Sequence, residues 1–85
     1  MCRNITVLRG LDPPATAEEL RAAALQYVRK VAGLSAVSAR NEEAVEHAVA
    51  EVAAATVALL EELPARRVAP ATLPPMRRLE PNARQ

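Results

Sequence analysis

Three groups of side chains in this 85-residue chain have the types and spacing to do chemistry. Cys2 is the first. With the initiator methionine removed it becomes an N-terminal aminothiol beside Arg3, whose charge favours the thiolate over the usual thiol value of about 8.5. Such a group can act as a nucleophile, in redox chemistry or as a metal ligand; the competing reading is a small apolar side chain tucked against helices. His47 is the second, with Glu43 and Glu51 four residues before and after it. Carboxylates and an imidazole one helical turn apart can share a divalent metal. At about 100° per residue, however, His47 lies about 160° from the apolar stripe of its helix, where a solvated charged face is the expectation. No serine, aspartate or second cysteine stands at a spacing that completes a triad or a zinc site with either residue. No catalytic residue, metal or cofactor is therefore assigned, with Cys2, Glu43, His47 and Glu51 kept as candidates. The arginine pairs Arg66-Arg67 and Arg77-Arg78 are the third group and could contact phosphates. Without aromatic residues for stacking they make only a weak nucleic-acid footprint, and a solubilising tail loosely associated with the acidic helix is favoured.

The elements that must position these groups are legible locally. Thr16-Ala17-Glu18-Glu19 has the spacing of a capping box, in which threonine and glutamate satisfy each other's backbone N–H groups at a helix start. The helix so begun closes at Gly33, with Arg29 and Lys30 placed at the negative end of its dipole. Its expected apolar stripe is Leu20, Ala23, Ala24, Tyr27 and Val31. A second helix is predicted from about residue 39 to Leu63, begun at Ser38 or Asn41 and stopped by Pro64. Its stripe is Val45, Val49, Val52, Thr56, Leu59, Leu60 and Leu63. The expected fold is all-α, an antiparallel two-helix hairpin over residues 1–63 with an irregular or extended N-terminal segment. Ile5, Val7, Leu8 and Leu11 are expected to lie across the helix pair. Residues 64–85 hold five of the seven prolines and a net charge of +4, against −3 for residues 1–63, and read as a flexible tail.

Such a core is thin. Of the 51% of residues that are apolar, 19 residues are alanine, and Tyr27 is the only aromatic. Alanine burial adds little beyond close backbone approach, whereas a large aliphatic side chain contributes roughly 1.5–3 kcal/mol. The second helix also outruns the first, leaving Leu59, Leu60 and Leu63 to be met by another segment or a second copy. A homodimer with a four-helix core is the expectation, with Leu25, Tyr27, Val28, Leu59, Leu60 and Leu63 as contact residues. No apolar run of about 18 residues or secretory signal pattern is present, and a single cysteine suits a reducing compartment, so a cytoplasmic protein without a membrane span is expected.

Several stretches also resemble a family of small bacterial proteins grouped as domain of unknown function 2277. They are Met1-Cys2-Arg3-Asn4-Ile5, Pro13-Pro14-Ala15-Thr16, the run from Arg21 to Lys30 with its Gln26-Tyr27-Val28-Arg29-Lys30 core, Asn41-Glu42, and Ala53-Ala54-Ala55-Thr56. The resemblance covers roughly residues 1–63. Family members often carry phenylalanine at the positions of Leu34 and Val45 and proline at Val37, so this core is less aromatic. The resemblance implies no assigned activity and transfers no catalytic residue. The reading adopted is a non-enzymatic protein–protein interaction or dimerisation module. A Cys2-centred redox or metal-linked activity, and an RNA- or ribosome-associated role for the arginines, are the alternatives.

Overall fold

A computed structural model of the chain describes residues 4–64, 66 and 69–78. Three helices occupy them in order, α1 (Ala17–Ala32), α2 (Glu42–Glu62) and the single turn α3 (Pro75–Arg78), and no strand is present among the described residues. The capping box forms as expected. The Glu19 N–H donates to Thr16 Oγ1 at 3.1 Å and the Thr16 N–H to Glu19 Oε1 at 2.9 Å. At the other end Gly33 adopts the left-handed conformation at φ 73°. There the N–H groups of Gly33 and Leu34 reach back to the carbonyls of Lys30 and Arg29, the double closure that only a positive φ allows without strain.

α2 is shorter than the expected 39–63. The Asn41 and Glu42 N–H groups donate to the carbonyls of Ser38 and Ala39, so residues 38–41 form a tight turn before the first helical bond, from the Val45 N–H to the Asn41 carbonyl. Asn41 sits at the cap position, but its side chain makes no capping bond. At 1.5 Å per residue α1 spans about 24 Å and α2 about 31 Å, a smaller mismatch than the sequence suggested.

Ala24 and Val28 of α1 meet Val45 and Val49 of α2, while Leu20 packs near Leu60 toward the other end, so the two helices run antiparallel. The buried line of α1 is therefore Leu20, Ala24 and Val28. Tyr27 and Val31, expected on that line, are exposed at 48% and 67%. The cause is the alanine content: α1 presents small side chains over a broad arc, and α2 settles on the edge where Ala24 permits close approach and Val28 fills the space.

The N-terminal segment supplies only part of the cover expected of it. Leu8 and Leu11 are buried with Leu20, against Ala15 and Leu60, whereas Ile5 and Val7 remain exposed. Of the expected stripe on α2, Val45 and Val49 are buried and Leu59 is exposed. Thr56 sits among apolar neighbours because its hydroxyl donates to the Val52 carbonyl at 2.7 Å, which removes its need for water.

Candidate functional site

The consequence of burying Leu8 but not Ile5 and Val7 is an apolar cleft. One wall is the N-terminal segment, the second is the face of α1 carrying Ala23 and Tyr27, and the third is the last turns of α2 with Leu60 and Leu63. The cleft encloses about 340 Å³. Ile5, Val7, Tyr27 and Leu63 are 44%, 47%, 48% and 38% exposed along it, so large apolar side chains meet water together on one side of the molecule. Thr6 also lines it, with its Oγ1 buried and without a hydrogen-bond partner among the described residues. The cleft's lining is mainly apolar, and its hydroxyls, on Thr6, Tyr27 and Thr56, have no carboxylate or imidazole beside them in the lining to act as a base.

The contact residues expected from the sequence separate in space. Tyr27, Leu60 and Leu63 come together in the cleft. Val28 is buried between α1 and α2, and Leu25 packs partly buried against the same cluster. Leu59 is exposed but does not line the cleft. Among the chemical candidates, the His47 Nε2 lies 3.8 Å from Glu51 Oε2 with both side chains largely in solvent. Among the described residues no group of three histidine, cysteine, aspartate or glutamate side chains is close enough to hold a metal ion. Cys2, Arg3, Arg67 and the side chain of Arg78 lie outside the described residues.

Glu19 is the residue whose importance the sequence concealed. Although charged, it is only 4% exposed. Beyond closing the capping box it receives Arg77, whose Nε donates to Oε2 at 2.7 Å and whose Nη2 donates to Oε1 at 3.0 Å. A third bond runs from Arg77 Nη2 to the Pro14 carbonyl at 3.0 Å. The Arg77 guanidinium, aided by the Thr16 N–H and opposed by burial, holds the Glu19 carboxyl below its ordinary value, and the same pairing raises Arg77. A buried carboxylate is tolerated here because both its oxygens are matched by the planar fork of a guanidinium. A loose association with the acidic face of α2 is the expectation for the tail arginines; Arg77 instead bonds to the first turn of α1.

Further contacts fix the N-terminal segment. Arg9 donates through Nε and Nη2 to the Pro64 carbonyl at 3.0 and 2.8 Å, and the Asn4 N–H donates to Gln26 Oε1 at 2.6 Å. Gly10, at φ 91°, lies so close under Arg66 that an added Cβ would stand 2.9 Å from the arginine Cβ.

The sequence profile of a family described as uncharacterized conserved protein (DUF2277) matches residues 1–84, the tail included. No curated protein and no solved structure matches the chain. No helix among the described residues is long and apolar enough to cross a membrane.

Proposed function

The chain belongs to the DUF2277 family of uncharacterised conserved proteins, and from that premise we propose that it is a non-enzymatic association module whose apolar cleft seats a second copy of itself. The observation that carries this reading is the joint exposure of Ile5, Val7, Tyr27 and Leu63 around one cleft. Isolated exposed aliphatic residues are ordinary on a protein surface, but several converging on a concavity mark an interaction face.

A second copy suits this face because exposed apolar side chains stand beside an apolar cleft. Tyr27, which lines the cleft, and Val31, one helical turn further along α1 and outside that lining, are both exposed, and we take them as an apolar ridge beside it. A two-fold axis beside that ridge lets each copy place it against the other's cleft, the self-complementary arrangement that isologous dimers require. It also supplies the apolar burial that a core of small side chains lacks.

Light scattering coupled to size exclusion tests this reading. The expected result is twice the chain mass of 9.1 kDa at micromolar concentration, with Tyr27→Glu reverting to a monomer of unchanged helix content. A wild-type protein that stays at 9.1 kDa at the highest soluble concentration overturns it.

A further inference from the structure

The stretch between Leu8 and Ala15 leads from the N-terminal segment into α1. It contains no helix or strand, and its two buried side chains, Leu8 and Leu11, are what shield Leu20 and Leu60 from solvent. Residues from further along the chain meet it at three points, of which only the last, made from residues 69–78, bonds its backbone. Arg9 is bonded to the Pro64 carbonyl, Gly10 is overlaid by Arg66, and the Pro14 carbonyl accepts from Arg77. Arg77 is itself anchored on the buried carboxylate of Glu19. Pro70 and Pro74, between these points, are buried, so this part of the tail is packed against the helical unit. The family profile extends through the same residues, to position 84.

We infer that residues 69–78 act as a tie, locked by the Arg77–Glu19 fork, which holds the N-terminal wall of the apolar cleft in place beside Leu20 and Leu60. Release of the fork frees the Pro14 carbonyl and leaves Glu19 a buried anion without its cation. Leu8 and Arg9 line the cleft, so loosening that wall removes the shape into which a second copy docks. The effect on association rests on the function proposed above; the effect on the N-terminal wall does not.

Limited trypsin digestion of the full chain separates the two. The Arg9–Gly10 bond lies in the tied wall and the Arg40–Asn41 bond in the exposed turn before α2, so one digestion reports both the wall and an internal reference. In the monomeric Tyr27→Glu background, Arg77→Ala is expected to speed cleavage after Arg9 by about tenfold relative to cleavage after Arg40. Glu19→Gln should act in the same direction while keeping helix α1, because glutamine can still close the capping box. Arg77→Lys, with a charge but no planar fork, should fall between. Unchanged cleavage after Arg9 overturns the inference. So does equal acceleration at both sites, which would report global unfolding. In the wild-type background, loss of dimer in Arg77→Ala with wild-type-like cleavage after Arg9 also overturns it. If the native chain proves monomeric, only the proposed association fails and the digestion still decides the tie.

Discussion

Arg21 and Glu46 meet across the two long helices through a two-bond fork, Nη1 to Oε1 at 2.9 Å and Nη2 to Oε2 at 2.6 Å; Arg77 also grips Glu19 with two bonds, through Nε and Nη2, yet the two pairs differ in what surrounds them. The side chains of Arg21 and Glu46 are 50% and 48% exposed, whereas those of Arg77 and Glu19 are 16% and 3% exposed. Water and salt screen the first pair, and removing one partner leaves the other solvated. Removing Arg77 strands a charge in a place it cannot hydrate. Arg21→Ala should therefore leave the thermal midpoint almost unchanged and Arg77→Ala should lower it by several degrees. Circular dichroism melts at matched concentration make the comparison.

Acid should act through Glu19. Its carboxyl is held below the ordinary value of 4.5 in the folded chain, by Arg77 first and by Thr16, with Asp12 the further charge facing Arg77. A lowered carboxyl contributes stability that is complete above its unfolded value and fades as pH falls through the folded one. Wild type should be more stable than Glu19→Gln at neutral pH, and the gap should close as the solution is acidified below 4.5. Melts of both proteins across that range test the sign; a gap that widens in acid contradicts it.

The two glycines should respond differently to a methyl group. Both have positive φ, so alanine costs about 1 kcal/mol at either position from the backbone alone. At Gly33 nothing lies within 4 Å of the new carbon, so that backbone term is the whole effect. At Gly10 the new carbon would press on Arg66 as well, so Gly10→Ala should lose more than Gly33→Ala and should accelerate trypsin cleavage after Arg9. Chemical denaturation of the two variants ranks them.

Core and cleft should separate in the same pair of assays. Val49 is 1% exposed, and Val49→Ala should cost about 2 kcal/mol by lost methyl burial and the void left behind. Val7→Ser, at a half-exposed position, should leave stability nearly unchanged while weakening association. Denaturation midpoints and light scattering together check this; a Val7→Ser protein with wild-type dimer affinity argues against its place in the contact.

The parts of the fold legible from sequence were those encoded within a few residues. Thr16 and Glu19 cap α1 through side chains three positions apart, and Gly33 closes it with a conformation few other residues adopt. Ile5, Val7, Leu8 and Leu11 together read as cover for the helices, and of the four only Leu8 and Leu11 are buried. The rotation of α1 was not legible, since its alanines surround the seam on both sides and Val28 competes with Tyr27 for one place. Nor was the partner of Glu19. Arg77 lies 58 residues away in a stretch whose prolines and arginines read as solvated tail, and no local pattern links it to a capping glutamate. Of the cleft's lining, Tyr27, Leu60 and Leu63 stand among the residues whose apolar character the helical pattern exposes, while its third wall depends on which two of the four N-terminal apolar residues turn inward.

Tyr27 is the chain's sole aromatic residue and stands at the mouth of the cleft, outside the packed interior. The protein thus carries a native optical reporter whose phenol emission is free of interference from tryptophan. That signal should register occupancy of the cleft and stay nearly silent about the valine-lined seam between the long helices. A spectroscopist following only this chromophore would record partner exchange, and would need amide absorbance to see the chain unfold.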